Sequence, residues 1–328
     1  MTDLSRRRFT LAAASLGAGA PALTARAQVA GYPNRPLKIL VAAAPGGLSD
    51  AYARLFAEQF TTRFNQPALV ENRTGASGII ATEAMLKSPP DGYTIWSGTT
   101  GMVWQTRVMY RKLPFDLAKD IAPITVFPSG PLVVAVQERT GVRDFTGLVD
   151  YVRKHPCSAG SYAVASYPHV FAETLNREFG GKVQSIQYKG EGPMWVEMGS
   201  GQLDLAVGSY QAFSTVRDKG IRPIAVNGMV RCPKLPDLPT LTEQGMKSPV
   251  AKLEGGLALV AHSAVPGGIL DLLAEVAVAG NDTPRARALR ETFAIPDATK
   301  GRADALRQWR EDAPAWIKEV EALGVKLD

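Results

Sequence analysis

Short apolar runs alternate along this chain with stretches of helical periodicity, and that alternation restricts what it can fold into. The runs at residues 37–43, 93–97, 132–136, 185–188, 203–207, 221–226 and 257–261 have the length and composition of strands. Between them lie amphipathic segments. Across residues 50–64, Tyr52, Leu55, Phe56, Phe60 and Phe64 fall on one helical face, and Ser49 or Asp50 is placed to cap that helix. Strands alternating with helices predict an α/β fold with parallel sheets covered on both faces. Residues 302–323 read as a further helix with Leu306, Trp309, Ala313, Trp316, Ile317 and Val320 on one side. Pro314 should break or kink it. With 328 residues, 45% of them hydrophobic and 21% charged, the chain can furnish two lobes with a core each. No internal repeat and no low-complexity segment is evident.

The N-terminus reads as an export signal. Ser5-Arg6-Arg7-Arg8-Phe9 fits the twin-arginine pattern, a weakly apolar run follows over residues 11–23, and Ala25-Arg26-Ala27 supplies the small residues read by a signal peptidase. Cleavage is expected after Ala27, releasing the protein into the periplasm. The run is too short to span a bilayer core of about 30 Å. Removing residues 1–27 leaves 33 basic against 30 acidic residues. That balance, without a dense basic stripe, gives no footprint for nucleic acid. The two cysteines, Cys157 and Cys232, would sit in an oxidising compartment, so a disulfide is chemically open, but spacing alone does not pair them.

Several chemistries are missing. There is no Gly-x-Ser-x-Gly elbow, no Walker loop and no Gly-x-Gly-x-x-Gly turn after a strand. The three histidines, His155, His169 and His262, are scattered and show no metal-ligand spacing. Neither metal nor cofactor is expected. What stands out is a bare turn, Pro45-Gly46-Gly47-Leu48-Ser49-Asp50, between the first strand and its helix. The first N–H groups of a helix lack internal partners, and the macrodipole adds partial positive charge there. Such a turn can hold a carboxylate without a charged side chain. Each such end contributes about 0.3–1 kcal/mol when exposed and up to ~2 when partly buried. Micromolar binding needs about 8 kcal/mol, so a second set of donors from a facing lobe is required.

The chain beyond residue 27 resembles, nearly end to end, the periplasmic receptors of tripartite tricarboxylate transporters. The resemblance is carried in order by "YPNRPLKILVAAAPGGLSD", "VENRTGASGIIA", "SPPDGYTIWSG", "YRKLPFDLAKDIAPITV", "YKGEGP", "GQLDL" and "LPDLPTLTEQG". It implies a type II periplasmic-binding-protein fold, with two α/β lobes and a ligand cleft between them. Lobe one would comprise residues 28–127 and 256–328, and lobe two residues 128–255. Crossovers are expected near residues 125–131 and 254–259. A small organic carboxylate would be held by main-chain N–H groups of the first glycine loop and delivered to membrane permease subunits. The receptor is expected to act as a monomer without catalysis.

Further cleft residues follow from the same resemblance. Thr99 and Thr100 end a lobe-one strand, and Gly75 and Ala76 lie in a second turn. Lobe two would contribute Tyr162, Ala163, Ser166 and His169 from "SYAVASYPH", with Lys189, Gly208 and Ser209. Arg73 and Arg107 are further candidate charges. Two departures bear on specificity. Ala163, Val164 and Ala165 replace the family's glycine and polar residues, and Gly208-Ser209 stands where it commonly has Asp-Asn. Loss of that acid argues against an amino-acid ligand. With Tyr162, Tyr167 and Tyr210 nearby, the expected ligand is a carboxylate with an apolar or aromatic body. Two alternatives stay open: a ligand sensor for a signalling partner, and a hydrolase on the same frame using Ser166 with His169. A DNA regulator's effector domain is excluded by the export signal and the lack of a DNA-binding helix pair.

Overall fold

The computed structural model describes residues 31–327; the export signal read over residues 1–27 lies outside them. Two five-stranded sheets organise the chain. The first contains β1 (Leu37–Val41), β2 (Ala68–Asn72), β3 (Thr94–Thr99), β4 (Ile121–Pro128) and β10 (Gly256–His262), in the order β2-β1-β3-β10-β4. The second contains β5 (Leu132–Gln137), β6 (Cys157–Ser161), β7 (Val183–Gln187), β8 (Leu205–Ser209) and β9 (Ile221–Val226), in the order β7-β6-β8-β5-β9. The helices are α1 (Leu48–Phe64), α2 (Ile79–Leu86), α3 (Thr100–Met109), α4 (Phe145–Lys154), α5 (Tyr167–Phe179), α6 (Glu191–Gly199), α7 (Tyr210–Ser214), α8 (Gly267–Ala279), α9 (Pro284–Thr292) and α10 (Arg302–Ala322).

The sheets are mixed rather than purely parallel. Strands β1, β2 and β3 run parallel, as do β6, β7 and β8. Strand β10 is antiparallel to β3 and β4, and β5 is antiparallel to β8 and β9. The reason is connectivity: β5 and β10 are the strands that follow a passage between the sheets, so each enters from the opposite end. The two sheets share one topology, a symmetry that periodicity did not reveal. It surfaces locally in "IAPITV" of β4 and "IRPIAV" of β9. Each is a sheet-edge strand with a register shift beside its proline, Pro123 or Pro223. An edge strand with a bulge tolerates the missing N–H.

Three strands escaped the sequence reading: β2, β4 and β6. All lack a continuous apolar run. Strand β2 carries Glu71 and Asn72, β4 carries two prolines, and β6 reads Cys-Ser-Ala-Gly-Ser. The passages between the sheets span residues 129–131 and 227–255, and Ser129 Oγ of the first donates to Gly255 O of the second at 2.8 Å. Buried Asn227 ties both passages: its side chain accepts from Leu132 N at 2.6 Å and donates to Leu253 O at 2.7 Å.

Alternation along the strands divides the interior. Leu37, Ile39 and Val41 join Tyr52, Phe56 and Phe60 of α1 and Leu273 of α8 on one face of the first sheet. On the second sheet, Val133, Ala135 and Ala206 face Trp195 and Phe213. A third cluster runs across both lobes, from Leu40, Trp96 and Trp104 through Trp316 to Val134 and Phe171. Cys157 belongs to this cluster and Cys232 to the Trp195 cluster, so the cysteines occupy opposite faces of the second sheet; both are free and buried. Burial, reinforced by Asp204, pushes the Cys157 thiol up to about 12.

Helix α10 runs unbroken through Pro314. Its packing supplies what the proline removes: Ala313, Trp316 and Val320 are buried, and Trp316 Nε1 donates to Glu254 O at 2.8 Å. Helix α1 begins at Leu48 with Gly47 as its N-cap and no side-chain cap bond. Neither Ser49 nor Asp50 caps it, because both lie inside the helix and Asp50 bonds back to the preceding turn.

Candidate functional site

At the carboxyl ends of the parallel strands of both sheets lies a cavity of about 690 Å³, where open α/β sheets place ligands. It lies within the range of about 300–1,000 Å³ usual for small-molecule sites. Five helices start on its wall, each directly after a strand or a short turn. They are α1 at Gly47-Leu48-Ser49, α3 at Thr99-Thr100-Gly101, α5 at Ser166-Tyr167, α6 at Gly190-Glu191-Gly192 and the short α7 at its N-cap Ser209. Two come from lobe one and three from lobe two. No Lys, Arg or His appears among the described residues that line it. An anion bound here is therefore met by helix N-termini, main-chain N–H groups and hydroxyls.

The glycine turn is held from behind. The Asp50 carboxylate accepts from Gly46 N at 3.0 Å, from Arg54 Nε at 2.9 Å and Nη2 at 3.0 Å, and from Asn72 Nδ2 at 3.0 Å. Burial pulls its pKa up, but the bonds from Arg54, Gly46 and Asn72 outweigh this and hold it below the ordinary value. Asn72 also donates to Ala43 O at 2.9 Å, tying the end of β2 to the turn. Gly46 has φ +87°, which strains any residue with a Cβ. Asp50 and Gly46 thus shape the turn, whereas Gly47, Leu48 and Ser49 reach the cavity wall.

Of the residues expected in the cleft, the cavity brings together Gly47, Leu48, Ser49, Thr99, Thr100, Tyr162, Ala163, Ser166 and Ser209. It does not reach Pro45, Gly46, Asp50, Gly75, Ala76, His169, Lys189 or Gly208. Ser77 lines it in place of Gly75 and Ala76. Lys189 is exposed and Arg73 pairs with Glu71 at 2.5 Å; neither they nor Arg107 line the cavity. Thr99 Oγ1 caps α3 by accepting from Met102 N at 3.2 Å, and Thr100 Oγ1 accepts from Gly256 N at 3.2 Å. Tyr162 and Tyr167 line the wall, but the Tyr167 hydroxyl is spent on Val250 O at 3.0 Å, and Tyr210 does not line it.

Ser166 and His169 do not form a dyad. His169 Nδ1 accepts from Ala165 N at 2.9 Å, while Ser166 Oγ lies 3.0 Å from Ser161 Oγ. Burial lowers the His169 pKa against the opposing pull of Glu173, which favours neutral imidazole.

Gly208 has a steric cause. A Cβ there would stand 2.7 Å from Trp195 Nε1, so the indole occupies the space a side chain would need. Trp195 is buried, lines the cavity, and its N–H has no partner among the described residues. The sequence reading passed over a second residue here. Glu191, inside the quoted "YKGEGP", lines the cavity and accepts from Ser209 N at 3.2 Å and from the Ser209 hydroxyl. An acid is therefore present beside Ser209, carried by α6 instead of β8, so the lack of one at residues 208–209 does not leave the cleft without an acid. The signal was a charged residue directly after Gly190 at a helix start.

The family model described as "Tripartite tricarboxylate transporter family receptor" matches residues 52–319. The chain belongs to this family. Its receptors are periplasmic solute-binding proteins, not enzymes, and the fold is their two-lobed α/β type. The chain is 28% identical over 271 residues to a UPF0065 protein of Bordetella bronchiseptica, covering 81% of this chain and 78% of that one. It is 27% identical over 292 residues to protein BugT of Bordetella pertussis, covering 85% and 88%. Among solved structures, Rpa4515 of R. palustris with adipate matches at TM-score 0.77 and 29% identity, covering 89% of this chain and 98% of that chain. The periplasmic binding protein BugD matches at TM-score 0.74 and 23% identity, covering 90% and 99%.

Proposed function

We propose that this protein is an exported receptor that captures a small organic carboxylate and delivers it to the membrane subunits of a tripartite tricarboxylate-type transporter. The observation that carries the reading is the cavity's donor set: helix N-termini from both lobes converge on it, and no basic side chain among the described residues lines it. Adipate in the similar Rpa4515 supports the same ligand class. One carboxylate would sit on the N–H groups of Leu48 and Ser49 beyond Gly47, with Thr99 offering its hydroxyl. The body would lie against Met102, Leu132, Tyr162, Trp195 and Phe293, which favours an apolar or aromatic skeleton. Export would follow the twin-arginine signal, with cleavage after Ala27, and the mature chain would act as a monomer.

Native mass spectrometry of the chain from residue 28 onward, purified gently and then denatured, tests the reading. One intact organic acid released per chain supports it. An empty protein whose melting temperature no organic acid raises would refute it.

A further inference from the structure

Glu191 is the acid that the first turn of α6 brings to the cavity wall; its charge offsets the positive end of that helix, so this terminus differs from those of α1 and α3 across the cleft, which carry no acid on the wall. Both its oxygens accept from Ser209 N at 3.2 Å, and one also accepts from the Ser209 hydroxyl. Those contacts come from a single neutral residue. A carboxylate offers about four acceptor positions, so capacity is left over. No cation among the described residues pairs with it. Glu254 and Asp297 also line the cavity and both are exposed; no Lys, Arg or His among the described residues lines it with them.

The surroundings suit a cation. Trp195 lies four residues on along α6, on the same helical face as Glu191, and both line the cavity. Tyr162 stands close enough for the Glu191 charge to raise its phenol pKa further, after burial. The Glu191 carboxylate supplies the attraction for a cationic nitrogen, and the unpartnered Trp195 N–H beside it can donate to an acceptor on the same ligand. A second carboxylate there would meet like charge at short range, which costs binding. Although Glu191 as a residue is half-buried, protein atoms crowd round its carboxyl, and burial pushes its pKa up against the opposing Ser209 bonds. A cation would relieve that cost.

We propose that the Glu191 end of the cleft takes a protonated nitrogen, so that the ligand is a carboxylate bearing an amine at its far end across an apolar body, rather than a dicarboxylate. The inference rests on the carboxylate reading of the cleft and gives the site a direction: anion at α1, cation at α6.

Calorimetric titration of the chain from residue 28 onward with matched probes tests it. The pairs are adipate against its ω-amino counterpart and terephthalate against its aminomethyl counterpart, with hexanoate and hexylamine as single-charge controls. The amino member of a pair should bind about tenfold more tightly or better. Glu191→Gln should abolish that preference, weakening the amino acid and strengthening the diacid, while hexanoate is unaffected. Tighter binding of the diacids by the wild type overturns the proposal without any variant, as does a preference that survives in Glu191→Gln. If hexylamine binds and no carboxylate does, the carboxylate reading fails while the cation site stands. Silence from every probe overturns both.

Discussion

Asp50→Ala should loosen the glycine turn without touching the cavity wall. The substitution removes the acceptor for Gly46 N, for Arg54 Nε and Nη2, and for Asn72 Nδ2. Losing hydrogen bonds to a charged group costs about 1.5–3 kcal/mol where the partners stay buried. Here the cost is smaller. The Arg54 side chain is 45% exposed and regains water, Gly46 is exposed, and Asn72 keeps its bond to Ala43 O. We expect a loss of about 1–2 kcal/mol, which lowers the melting temperature by roughly 2–3 °C for a chain of this size. Binding should suffer as well. If the turn holds its bound shape only a tenth of the time, the apparent Kd of the captured acid rises about tenfold. The pH dependence has a definite sign. The folded pKa of Asp50 is lowered, so its contribution is fully present above the ordinary carboxylate value of about 3.9 and is lost as pH falls through the folded value. The stability gap between wild type and Asp50→Ala should be widest at neutral pH and close on acidification below about pH 4. Urea unfolding at several pH values, with calorimetry on the captured acid, measures both effects. Unchanged stability and unchanged affinity together would refute the claim that Asp50 organises the turn.

Two further substitutions probe the frame. Gly208→Ala places a methyl group 2.7 Å from Trp195 Nε1, and the forced shift of a buried indole should cost about 1–3 kcal/mol. Ligand affinity should fall with it, because Trp195 lines the cavity; unfolding midpoints and titrations read the two losses separately. Pro314→Ala restores an N–H inside a continuous helix. Proline in a helix interior is less favourable than alanine by up to about 3 kcal/mol, so the variant should melt higher than wild type, and a lower melting temperature would mean that α10 depends on the proline.

How far the sequence could be read depended on the kind of signal. The helix α1 stripe of Tyr52, Leu55, Phe56, Phe60 and Phe64 was legible because burial on one side enforces a period; the structure buries the first four and half-buries Phe64 at the helix end. Strands β1 and β5 were legible as continuous apolar runs. Strand β6 was not, because the small residues of Cys-Ser-Ala-Gly-Ser make room for the side chains packed over them: a Cβ on Gly160 would stand 2.6 Å from Met194. Pro314 does not break α10, because propensity describes an isolated helix and α10 is held by packing at Trp316 and Val320. At the site, the turn at Gly47 announced itself through local backbone chemistry. Glu191 did not, since an acid at a helix start is ordinary until a strand from elsewhere brings Ser209 against it.

By itself, then, the sequence determined the alternation of strands and helices, the family, and the lobe-one turn that meets the cavity. Each of these is written in local spacing or in ordered short motifs. The tertiary structure alone decided which residues share the cleft, that no basic side chain among the described residues lines it, and that Trp195 claims the space above Gly208. It also decided that an acid stands beside Ser209. Those facts depend on contacts between segments far apart in the chain, and no local pattern encodes which distant side chain will fill a given space.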